Sequence, residues 1–194
     1  MSQPSNTQKA YYLTILLPMW RGQLDQLAAT QREYRNHLLA VACLRKAKGP
    51  GVDPLRISDF CRKWKIPLTL PMIGPTALLR KAGKLAGGWP SAAAIFDPTG
   101  AINMGIKVIA QLGPLLGRIQ MRNACLYALD DKVVPKGDQS SVLGILELSR
   151  TPQNLMNKVK KSKNKVSQVW KETISLAEKM EPIRQELGLP ETTR

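Results

Sequence analysis

The residues best equipped for chemistry in this chain are cationic and clustered. KVKKSKNK, residues 158–165, holds Lys158, Lys160, Lys161, Lys163 and Lys165 with no carboxylate among them. LLRKAGKLAGG holds Arg80, Lys81 and Lys84, and Arg45, Lys46 and Lys48 stand opposite Arg62, Lys63 and Lys65 across the turn GPGVDP. Arg118 and Arg122 add two further positions. Such groups bind polyanions, phosphate oxygens above all. Lys and Arg, with few amides on the short helices around GPGVDP, suit backbone contacts, which position a protein without reading sequence.

Catalysis has far less to work with. His37 is the single histidine and lies within a helical pattern beside Leu38, the context of a packed or surface side chain. Asp130 and Asp131 are adjacent, so their carboxylates diverge and suit a cap or turn; Asp53, before Pro54, is a turn former. Cys43, Cys61 and Cys125 are odd in number and without C-x-x-C spacing, which predicts small buried hydrophobes. Gly87-Gly88 follow their basic residues, whereas a phosphate loop needs G-x-x-x-x-G-K-[ST] leading into a helix N-terminus. The residues therefore predict no catalytic group, no metal site, no cofactor and no small-molecule substrate. They describe a binder, not an enzyme.

The totals agree. Among 194 residues, 29 Lys and Arg face 14 Asp and Glu, a formal charge of +15. Residues 1–97 carry 14 basic and 5 acidic side chains, and residues 98–194 carry 15 and 9, so the charge belongs to the body and not to a tail. The expected partner is nucleic acid. Aromatics make up 5%, and Trp20, Trp64, Trp89 and Trp170 are scattered, so no stacking platform for single strands is predicted and duplex DNA is favoured over RNA. MSQPSNTQK has no signal-like n-region, and Pro18, Lys107 and Gln111 interrupt the apolar runs, so neither export signal nor membrane span is expected.

The elements that carry these clusters read as all-α. Ser5-Asn6-Thr7 cap a first helix running to about Leu17, which Pro18 is expected to end or kink; a second carries Leu24, Leu27, Gln31, Tyr34, Leu38 and Val41 at helical spacing and closes at Gly49-Pro50-Gly51. Ser58 caps a short helix, IPLTLPMIGP (66–75) is an extended connector, and Pro75 opens a helix over 76–85 that Gly87-Gly88 stop. Residues 102–129 are helical in period, broken at Gly113-Pro114, with Gly105, Gly117 and Ala124 allowing close packing as the central core element. DDKVVPKGDQSS is a polar loop, and VLGILEL leans to helix. Thr151-Pro152 starts a long basic helix expected to break at Pro182, whose stripe is Val159, Ser162, Val166, Val169 or Trp170, Ile174 and Ala177. The predicted architecture is a helical bundle with a kinked N-terminal arm and Pro/Gly-rich connectors. It divides into a basic arm region, 1–100, and a helical core with the lysine-rich helix, 101–194, or the two make one continuous domain.

RKAGKLAGG followed by the glycine-interrupted GIKVIAQLGPLLGRIQM (105–121), behind basic helices with prolines at the front, resembles the coat proteins of archaeal rod-shaped and filamentous double-stranded DNA viruses. The resemblance covers about half the chain and is one of arrangement. It implies a capsid subunit, located in the virion, whose helices wrap duplex DNA and which self-associates or pairs with a related coat subunit into a filament. A surplus near fifteen charges would balance on the order of fifteen phosphates, roughly seven to eight base pairs per subunit. Two other readings fit the composition: a small helical RNA-binding subunit of a cytoplasmic nucleoprotein machine, and a basic viral matrix protein.

Overall fold

The computed structural model describes residues 6–48, 74–84, 114–130 and 133–191. The fold is all-α, and no strand occurs among the described residues. The helices are α1 (Asn6–Tyr11), α2 (Leu17–Lys48), α3 (Pro75–Lys84), α4 (Pro114–Ala128), α5 (Gln139–Ser149) and α6 (Pro152–Glu186). A π-turn, Tyr12–Leu16, joins α1 to α2, and a 3₁₀ turn, Lys136–Asp138, leads into α5. The short helix at 58–66, both proline-rich connectors and residues 102–113 lie outside the described residues, as does a boundary at residue 100.

One expectation about proline is narrowed and another corrected. Pro18 does not end the first helix: helical structure is continuous from Asn6 to Lys48. A proline ring inside an α-helix meets the carbonyl four residues back and has no N–H to offer it. The π-turn widens the backbone just before that point, with Leu17 N–H donating to Tyr12 O. Pro182 likewise stays inside α6. It is exposed near the helix end, where water can serve a freed carbonyl, and the Glu181–Arg184 pair at its sides holds the last turn.

The described residues form two compact units. The first takes residues 6–31, 74–84 and 165–191. Its apolar residues repeat at helical spacing: Tyr12, Leu16, Trp20, Leu24 and Leu27 on the first strip, Val166, Val169, Trp170, Ala177 and Met180 on α6, and Leu78 from α3 are all buried. Gln23 Nε2 lies 3.4 Å from Val169 O and 3.4 Å from Thr173 Oγ1, while Gln8 Nε2 donates to Glu186 Oε2 at 2.7 Å. Rising numbers on one strand of these pairs meet falling numbers on the other, so the two helical stretches run antiparallel. Thr76, behind the Pro75 that opens α3, donates to Glu181 Oε2 at 2.6 Å and ties α3 to α6.

The second unit takes residues 32–48, 114–130 and 133–164. Leu38, Leu39, Ala40, Val41, Ala42, Cys43 and Leu44 are consecutive and all buried, so α2 is enclosed on every side there; the core element expected over 102–129 lies partly outside the described residues. Met121, Ala124 and Ala128 on α4, Val133 and Val134 after it, Val142 and Leu146 on α5, and Leu155, Met156 and Val159 on α6 complete the core. VLGILEL is helical, within α5. Thr151 caps α6 as its spacing predicts, its Oγ1 accepting from Asn154 N–H at 3.2 Å with Pro152 at the first helical position. Arg35 forms an ion pair with Asp138 at the head of α5.

His37 is buried at 6% exposure. Burial lowers its pKa below the ordinary 6.5 and the Lys158 ammonium adds to this, against an opposing pull from Glu33. The unfolded chain therefore takes up a proton more readily than the folded one. Stability should be complete above about pH 6.5 and fall as pH drops below it through the folded value. Melting temperatures at pH 7.5 and 5.5 test this: the wild type should lose stability on acidification, and His37→Gln should remove much of that loss.

Candidate nucleic-acid interface

Between Glu147 and Glu172 lie 24 residues without a carboxylate, and they carry Arg150, Lys158, Lys160, Lys161, Lys163, Lys165 and Lys171. Helix α6 sorts this stretch by face, because 3.6 residues per turn place successive side chains about 100° apart. Leu155, Val159, Ser162, Val166 and Val169 point into the body. The hydroxyl in that stripe is satisfied at home, Ser162 Oγ donating to Val159 O at 3.0 Å. Gln153, Asn154, Asn157, Lys160, Lys161, Asn164, Lys165, Gln168 and Lys171 are exposed, and Lys158 and Lys163 are half-buried at the margins. Residues 152–164, the part of α6 in the second unit, span about 20 Å of helix at 1.5 Å per residue.

The other predicted cations divide. Arg80 is exposed on α3, and Lys81 and Lys84 follow on the same helix. Arg118 and Arg122 are exposed, one turn apart on α4. The start of that helix approaches α6 closely, since a Cβ at Gly117 would stand 3.4 Å from Pro152 Cδ. Arg45 and Lys46 are half-buried in the last turns of α2, with Lys48 at its end. Lys46 is committed inside the unit: its Nζ is 3.6 Å from Asp130 Oδ2 and 5.3 Å from the centre of the Tyr127 ring. Arg62, Lys63 and Lys65 lie outside the described residues.

Sequence reasoning missed Arg150. It joins α5 to α6 with φ 57° and ψ −34°, and Thr151 N–H donates to Ser149 O at 2.6 Å across it, closing a tight γ-turn. Positive φ suits glycine and strains a residue with a Cβ. The side chain is exposed at the head of the acid-free helix. An Arg between a helix end and a Thr-Pro start, where glycine is the common choice, was the available signal. Arg150→Gly should stabilise the fold by up to about 1 kcal/mol. The same change should lower the salt slope of polyanion binding by about one, read by thermal melting and by titration at several salt concentrations.

Two sets of large apolar side chains are also exposed. Tyr11, Leu13, Ile15 and Met19 belong to the first unit, and Ile119 and Leu126 on α4, Leu129 just after it and Leu148 on α5 belong to the second. The last four are between 50% and 76% exposed, and α4 packs on α5, so they are concentrated on neighbouring elements.

Burial pushes the Cys43 thiol up to about 12, the nearby Cys125 adding to the effect, and burial also raises Cys125. Both stay protonated and unreactive near neutral pH. No cluster of three or more His, Cys, Asp or Glu side chains able to hold a metal occurs among the described residues, and none of their helices is long and apolar enough to cross a membrane. No protein-family model matches the chain, and neither a curated protein nor a solved structure does.

Proposed function

We propose that this chain is a structural nucleic-acid-coating protein: a coat subunit that wraps duplex DNA through sequence-independent phosphate contacts and polymerises into a helical filament. The observation that carries the reading is the outward face of α6 over residues 152–164, about 20 Å of lysine and amide side chains without a carboxylate, on a chain of formal charge +15. Arg80, Arg118, Arg122 and Arg150 add exposed guanidinium groups. The large apolar side chains exposed on each unit offer contacts for self-association.

Electron microscopy of the purified protein with random-sequence duplex DNA at low salt, combined with nuclease digestion of the same sample, tests it. The expected result is filaments of constant diameter, with roughly seven to eight base pairs protected per subunit. Small discrete particles, or binding confined to structured RNA, would overturn the coat reading in favour of a subunit of a nucleoprotein machine.

A further inference from the structure

We infer that the outward face of α6 from Gln153 to Asn164, with Arg150 at its head, seats in the major groove of B-form duplex DNA. The inference rests on the nucleic-acid reading above and adds to it the groove, the helical form and the side chains that meet the bases.

The arrangement of side chains around the helix is the starting point. At about 100° per residue, Gln153, Asn157 and Asn164 fall within about 40° of arc and form a central ridge. Lys161 and Lys158 lie on one side of that ridge, and Lys160 and Lys163 on the other. Two lysines therefore flank the amides on each side, as the two phosphate walls of a groove require. An amide offers a donor and an acceptor together. It can pair bidentately with adenine, donate to guanine or thymine and accept from cytosine, so every base pair gives it a partner. Such a ridge suits a protein that must lie on any sequence. The Gln153 Nε2 to Asn157 Oδ1 contact is long, 3.4 Å, and exposed, so exchanging it for a base edge is easy.

The dimensions agree. A helix with its side chains is about 10–12 Å across and the B-form major groove about 12 Å wide. The twelve residues 153–164 rise about 18 Å, close to five base-pair steps. The A-form major groove of duplex RNA is too deep and narrow to admit a helix.

The same helix contains its own comparison. Beyond Lys171 the composition becomes that of an ordinary solvated face, with Glu172, Glu178 and Glu186 interspersed with Lys171 and Lys179. Along α6, carboxylates are missing only from the stretch where the amides and lysines gather. A membrane surface is a poor occupant, because the outward arc of 153–164 bears no large apolar side chain.

The test uses the full chain and a fluorescent 30-base-pair duplex of mixed sequence, prepared as DNA and as RNA. Binding should favour the DNA duplex by at least about tenfold at equal salt. Methyl green, which occupies the major groove, should compete, and the minor-groove ligand netropsin should not. Asn157→Ala with Asn164→Ala should weaken binding about tenfold with an unchanged salt slope, whereas Lys160→Gln with Lys161→Gln should lower the slope by about two. Lys179→Gln, farther along α6, is the control. Equal binding of both duplexes, competition by netropsin alone, or an indifferent amide variant would overturn the inference while leaving the coating function standing. Failure to bind either duplex would overturn both.

Discussion

Replacing Lys160, Lys161, Lys163 and Lys165 together by Gln should lower the slope of log affinity against log salt by about three to four, and reduce affinity at low salt by about two to three orders of magnitude. Each phosphate contact releases condensed counterion from duplex DNA, so the slope counts contacts, and four fewer contacts remove a corresponding share of it. All four side chains stand on one helix, three of them exposed and Lys163 half-buried, and none belongs to the apolar stripe, so melting should be nearly unchanged. The full chain is titrated against random-sequence duplex DNA from 50 to 200 mM salt. An unchanged slope would make α6 a solvated face and shift the binding to the exposed arginines.

The second large effect concerns stability. Glu181 accepts four hydrogen bonds: from Arg184 Nη2 at 2.9 Å and Nε at 3.1 Å, from Thr76 Oγ1 at 2.6 Å and from Gln185 Nε2 at 2.8 Å. Both members of the ion pair are 13% exposed. These donors, Arg184 first, hold the Glu181 carboxyl down at about 2 against an ordinary 4.5. A depressed folded value means that the carboxylate contributes stability above about pH 4.5 and loses it progressively as pH falls towards 2. Glu181→Ala also takes the carboxylate from the Arg184 guanidinium, which keeps only its Nη1 bond to Leu189 O, and the acceptor from the Thr76 hydroxyl, so it should cost about 2 kcal/mol at neutral pH. It should also flatten the acid limb of the stability curve. Glu178→Gln, three residues away and exposed, should change stability by less than about 0.5 kcal/mol. Urea unfolding at pH 7 and pH 3 measures all three proteins.

Features set by neighbours in sequence were legible in it. Thr151-Pro152 marks a helix start through a hydroxyl three residues from the N–H it accepts, and the stripes on α2 and α6 are periodic whatever packs on them. Partners far along the chain were not legible. Lys46 counts as a free cation until Asp130, 84 positions away, proves to be beside it. Glu181 has no special spacing that announces Thr76. The prolines misled for a related reason: the usual cost of an internal proline assumes an unaltered helix, and at Pro18 the backbone changes its winding first. Arg150 escaped because its distinction is a backbone angle, to which charge and periodicity are blind.

The π-turn at Tyr12–Leu16 holds one residue more than an α-helical turn of the same reach, with the chain on both sides keeping its packed face inward. That geometry is what a single inserted codon leaves behind when the surrounding packing cannot be given up. Deleting one residue from the exposed stretch Leu13–Ile15 should return the turn to α winding and press the Pro18 ring against the carbonyl of the preceding turn. The extra residue could then be removed without that clash only once Pro18 had been replaced.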